Sequence, residues 1–227
     1  MIDFIISDPQ EGVAYFCMLI LAISIHEMAH AWMAYRCGDD TAALMGRLTP
    51  NPVAHFDPMG FTFILLGPIG WGKPVPFNPA RLKNVSRDSM LIALAGPLSN
   101  FIQAVFLALL FRIVHWGIAE KFFLGFRSGE AMLDACDLVF TAGVGCNLML
   151  AFFNLIPLFP LDGEKILAWF LPRELAIKLE EFQSHGPIVL FLLLASGFLF
   201  GLPILTWYLE IVTTPVSYLL IGYSIWG

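Results

Sequence analysis

Residues 12–37 read GVAYFCMLILAISIHEMAHAWMAYRC. The run is apolar over a length sufficient to cross a bilayer, for which about 20 residues are enough. Its second half nevertheless carries His26, Glu27 and His30. At 3.6 residues per turn, positions i and i+4 lie one above the other, so the two imidazoles share a face and Glu27 sits beside them. A carboxylate and two imidazoles are costly in hydrocarbon unless they are paired or bind a metal. The stretch therefore predicts a membrane helix with a polar site built into it.

His-Glu-Met-Ala-His is also a zinc-hydrolase pattern, in which two neutral imidazoles hold the metal and the carboxylate takes a proton from the activated water. Such a pattern arises by chance in roughly one chain in a hundred of this length, so its setting in an apolar helix carries much of the weight. The whole chain supports that setting. Of its 227 residues, 58% are hydrophobic and 13% charged, about half the charged share of a soluble domain. This composition predicts an all-α polytopic membrane protein whose partner is the lipid bilayer, organised as a single transmembrane domain over residues 1–227. The net charge of −6 comes from scattered residues with no basic run, so nothing supports nucleic-acid binding. Cys17, Cys37, Cys136 and Cys146 show no close pairing and predict no disulfide framework.

Further spans are expected at about 89–113, 133–157, 187–201 and 204–226, the last two separated by Gly201-Leu202-Pro203, with one kinked span plus an interfacial piece as the alternative for 187–226. Residues 59–72 are apolar but too short to cross, and Gly67-Pro68 interrupts them, as expected of a re-entrant or interfacial hairpin. Lys73-Pro74-Val75-Pro76-Phe77-Asn78-Pro79 follows. Its prolines exclude helix and favour extended backbone, leaving two readings open: an edge strand able to pair with an unwound peptide, or a rigid surface loop. Asn100, inside the second span, is expected to face the bundle.

With the amino terminus outside, nine of the twelve Lys and Arg residues fall on the inner side, as the positive-inside rule requires. His26 and His30 then lie near the inner end of the first span, and Asp162 just beyond the inner end of the third. Asp162 follows Pro157 and Pro160 on irregular backbone, which membrane depth tolerates only where it lines a protein cavity. An Asp at this place can be a helix cap. The matching depth instead makes it the expected third metal ligand, since a catalytic zinc takes three protein ligands and leaves one position open.

These motifs resemble the site-2 protease family of intramembrane zinc metalloproteases. The resemblance rests on His26 to His30, Gly72-Lys73-Pro74-Val75-Pro76, Ala95-Gly96-Pro97 with Asn100, and Asn154 through Gly163, in that order and over roughly residues 18–170. It implies one Zn²⁺ per chain on His26, His30 and Asp162, with Glu27 as catalytic base and acid. It implies a three-helix catalytic core formed by the first three spans, and a membrane-inserted β-hairpin and edge strand over about 59–80. Asn154 would position the substrate or its oxyanion, and Asn100, Lys73, Pro74, Val75 and Pro76 would lie on the substrate path. His55 either touches substrate or the metal region, or caps a turn.

The chain looks like a minimal member without PDZ or CBS domains, in the plasma (inner) membrane of a prokaryote, with its active site toward the cytoplasm. Its partners would be transmembrane protein substrates, cut in regulated intramembrane proteolysis or in clearing remnant signal peptides. A membrane metal-ion transporter or a non-proteolytic helix-binding scaffold would be the alternative classes.

Overall fold

The computed structural model describes residues 2–66, 70–116, 121–122, 125 and 129–226. The described residues form ten α-helices: α1 Ile2–Ser7, α2 Pro9–Cys37, α3 Thr41–Leu44, α4 Pro58–Leu66, α5 Val85–Val114, α6 Gly129–Asn154, α7 Asp162–Phe170, α8 Arg173–Gln183, α9 Gly186–Phe200 and α10 Ile204–Ile221. Two 3₁₀ turns, Pro52–His55 and Pro79–Arg81, lie between them.

Among the described residues, α2, α5, α6 and α10 are long and apolar enough to cross a membrane. The 187–201 segment forms α9, whose 15 residues reach only about 22 Å at 1.5 Å per residue. That falls short of a ~30 Å hydrocarbon core.

Local signals set the helix ends. The Asp8 carboxylate accepts the Glu11 amide at 3.1 Å and Pro9 occupies the first turn of α2, both ordinary starting devices. At the start of α5 the Asn84 side chain accepts the Arg87 amide while the Asp88 carboxylate accepts the Asn84 amide, a reciprocal cap.

Lipid gives helices no hydrophobic reason to associate, so they meet where small residues let backbones approach and disperse against one another. Ala22, Ala31 and Ala34 of α2, Ala93, Ala95, Ala104 and Ala108 of α5, and Ala142 and Ala151 of α6 are all buried. Around Ala104 and Ala108 the core is completed by Phe111, Val144, Leu148 and Ile221, so α10 closes the α5–α6 pair. Arg112 reinforces that closure by donating to the carbonyls of Leu219 and Leu220.

The membrane-inserted β-hairpin and edge strand are not found among the described residues. No strand occurs there: 58–66 is helical, 70–78 has no regular secondary structure, and residues 67–69 of the expected hairpin lie outside the described set. The physical reason is the destination of the amides. Pro74 and Pro76 have no N–H to offer, and the amides of Lys73, Val75 and Asn78 go to His55 O, Glu27 Oε2 and Asp39 Oδ2. The segment is a strap fastened to the helices. Phe77 anchors it in a second core cluster with Ala34, Cys37, Leu82 and Ile92.

A candidate metal centre

α2 and α5 cross so closely at Gly96 that no side chain fits there: a Cβ at Gly96 would lie 2.5 Å from Cε1 and Nε2 of His30 and 2.6 Å from Cε1 of His26. The imidazoles thus lie directly against the α5 backbone. His26 and His30 are both buried.

Each ring is oriented from behind. His26 Nδ1 meets Asn100 Oδ1 at 2.6 Å, and His30 Nδ1 meets the Ile92 carbonyl at 2.7 Å. The amide orientation of Asn100 is fixed in turn, because its Nδ2 donates to Ala22 O at 3.3 Å and Asn147 Oδ1 at 2.8 Å. Asn147 Nδ2 donates to Gly143 O at 2.9 Å. Since an oxygen acceptor faces each Nδ1, each Nδ1 carries the proton and each Nε2 turns a lone pair to the centre.

Asp162 supplies the third group. It is the first residue of α7, one place past the N-cap position, which Leu161 occupies. The first residues of α7 pack tightly on the turn that leaves α6: a Cβ on Gly163 would lie 2.3 Å from Leu155 O. Gln183 Oε1 accepts the Phe159 amide and ties α8 to the same turn. Asp162 Oδ2 lies 3.3 Å from Nε2 of His26 and of His30, which are 3.0 Å from each other.

Three acceptors directed at one point cannot satisfy one another, and Asp162 Oδ2 is a buried oxygen with no hydrogen-bond donor. A cation between them satisfies all three. Tetrahedral zinc ligands at about 2.0–2.1 Å stand about 3.3 Å apart, so the spacing and the N₂O donor set fit zinc. His26, His30 and Asp162 are the one group of metal-ligand type found among the described residues.

Glu27 is half-buried beside the centre, with Oε2 accepting the Val75 amide at 3.2 Å. The strap therefore passes over the carboxylate, bringing Val75 to the site between exposed Pro74 and Pro76, while exposed Lys73 is bound through its amide to His55 O at 2.8 Å. His55 is buried, and its Nε2 donates to Thr49 O at 2.8 Å. Asn154 donates to Leu150 O at 3.0 Å, one turn back on α6.

Sequence reading passed over Asn147. The signal was the one that singled out Asn100, an amide in an apolar helix. Asp39 was also missed, because Gly-Asp-Asp reads as an ordinary turn.

The sequence profile of peptidase family M50 matches residues 14–196. YwhC of Bacillus subtilis, a candidate zinc metalloprotease by name, is 36% identical over 178 residues, covering 78% of each chain. Rip2 of Mycolicibacterium smegmatis, named likewise, is 30% identical over 217 residues, 90% of this chain and 74% of its own. The zinc metalloprotease MJ0392 of Methanocaldococcus jannaschii is 28% identical over 160 residues, 70% of this chain and 34% of its own. No solved structure matches the chain significantly.

Proposed function

The chain belongs to peptidase family M50, the site-2 protease family, and from that premise we propose that this zinc metalloprotease cuts peptide bonds within transmembrane segments of other proteins. Its four long apolar helices and its family make it a multi-pass integral membrane protein. The observation that carries the reading is the buried convergence of His26 Nε2, His30 Nε2 and Asp162 Oδ2 beside a carboxylate that is not part of the triad.

His26, His30 and Asp162 would hold one zinc ion, which when bound acidifies water and polarises a peptide carbonyl. Asn100 and the Ile92 carbonyl keep both imidazoles in the tautomer that binds metal. Glu27 accepts the proton of the attacking water and delivers it to the leaving amine. The Val75 amide holds one Glu27 oxygen, so the other is the one that exchanges protons. A substrate helix hides its carbonyls in its own hydrogen bonds, so segments with small or helix-breaking residues are the expected targets. They would come from membrane-tethered regulators or remnant signal peptides. The inner-face position of the site, with the amino terminus outside, follows from the distribution of basic residues and belongs to the same proposal, as does a prokaryotic plasma membrane.

The test is zinc content and cleavage of a synthetic transmembrane peptide by the purified protein in liposomes. Wild type should carry one zinc per chain and cleave; Glu27→Gln should keep the zinc and lose activity by about 10³-fold or more. Cleavage by Glu27→Gln at the wild-type rate would refute the role given to Glu27. Zinc flux into the liposomes without cleavage would move the chain to the transporter class, in which a base fixed by the Val75 amide has no task.

A further inference from the structure

Asp39 is wholly buried just beyond the end of α2, and both of its oxygens are engaged. Oδ1 closes a local turn, accepting the Thr41 amide at 3.1 Å and the Thr41 hydroxyl at 2.5 Å. Oδ2 reaches across the chain to the Asn78 amide at 2.6 Å. The neighbouring Asp40 forms an ion pair with Arg81, just past the strap. A turn alone can be closed by a neutral Asn or Ser side chain. A buried carboxylate adds a charge-assisted bond, about twice as strong as a neutral one, and that bond goes to the strap.

Three residues before Asn78 is Val75, whose amide rests on Glu27. Between them stand Pro76 and Phe77, and Pro74 precedes Val75. Proline fixes φ and stiffens extended backbone, so the strap around Val75 moves as a unit with its anchored end. One helix, α2, therefore carries Glu27 near its middle and leads at its end into the side chain that holds the strap against Glu27.

We propose that Asp39 is a positioning residue for Glu27: by fixing the Asn78 amide it keeps the Val75 amide on one oxygen of the Glu27 carboxylate, leaving the other for proton transfer. The proposal rests on the reading of Glu27 as the proton carrier. Asp39 touches neither metal nor substrate and acts only through the strap.

The test uses the zinc-loaded full chain in liposomes, with amide hydrogen exchange of residues 72–79, zinc per chain, and kcat and KM for a synthetic transmembrane peptide. In Asp39→Ala the Asn78 and Val75 amides should exchange at least about tenfold faster. The kcat per bound zinc should fall about tenfold, with KM and zinc content at wild-type values. Asp39→Asn keeps one acceptor oxygen where two are used and loses the charge, so it should fall between Asp39→Ala and wild type in both measurements.

Unchanged Val75 exchange overturns the proposal, as does unchanged kcat per bound zinc alongside lower zinc content and thermal stability, the signature of a merely structural anchor. Should Asp39→Ala fail to fold, Pro76→Gly decides. It should speed Val75 exchange and lower kcat per bound zinc while Asn78 stays protected, and no change in either measurement overturns the proposal. Full turnover by Glu27→Gln would instead refute the role of Glu27, and the link from Asp39 to Val75 exchange would still be read without any turnover.

Discussion

The imidazole wall of the metal centre and the strap across Glu27 lie side by side, yet they are held in different ways. Behind the imidazoles every polar atom is buried and answered, through Asn100, Asn147 and the carbonyls of Ile92, Ala22 and Gly143. The strap has exposed prolines, one apolar anchor at Phe77, and single amide bonds to His55, Glu27 and Asp39. Ligand geometry must be in place before a metal arrives, because a misoriented imidazole in hydrocarbon has no water to fall back on. The strap's residues on either side of Val75 are exposed, and its fastening is correspondingly light. Changes on the wall should therefore act on metal affinity, and changes on the strap on turnover.

The largest effect should come from Asp162→Ala, which removes a ligand and should lower zinc affinity on the order of 10³-fold or more, read by competition with a chelator. If zinc is held as before, Asp162 does not belong to the wall. Gly96→Ala comes next. Its methyl group would stand within 2.6 Å of both imidazoles, and close-packed interiors transmit such strain, so a loss of about 100-fold in zinc affinity is expected although no ligand is altered. Asn100→Ala should cost about 10- to 100-fold, and Asn147→Ala less, since it acts on His26 only through Asn100.

The smallest effect lies at the strap's anchor and is a dependence on pH. Burial alone would raise the Asp39 pKa, but the Thr41 hydroxyl, the amides of Asn78 and Thr41, and nearby Arg81 outweigh it and hold the carboxyl below its ordinary value. A folded-state pKa below the unfolded one gives stability that is present above the unfolded pKa and lost as pH falls through the folded one. Melting temperature should therefore drop below about pH 4, and the drop should be shallower in Asp39→Asn. Equal slopes in the two proteins would show that the anchor contributes nothing through its charge.

The wall was legible in the sequence because its signals are local. His26 and His30 sit at helical spacing, Asn100 is an amide in an apolar helix, and Asp162 follows two prolines at a matching depth. All four meet in the structure. The strap was legible only as extended backbone. Whether such a segment finds a partner strand is a non-local matter, and here its amides find the His55 carbonyl, the Glu27 carboxylate and a buried Asp instead. The role of Asp39 was hidden for the same reason, since its partner lies 39 residues away. The end of α9 at Gly201 was legible, since Gly201-Leu202-Pro203 marks it, but the 15 residues that it leaves are too few for the full crossing expected of them.

The amide relay from Gly143 through Asn147 and Asn100 to His26 draws on α6, α5 and α2 in turn. A nascent chain with only its first crossing inserted has neither Asn100 nor the Ile92 carbonyl behind its imidazoles, and one with two crossings still lacks Asn147 and Asp162. The full triad therefore comes together only once the third crossing has carried Asp162 up to the paired imidazoles, so a half-inserted chain presents an unfinished set of donors.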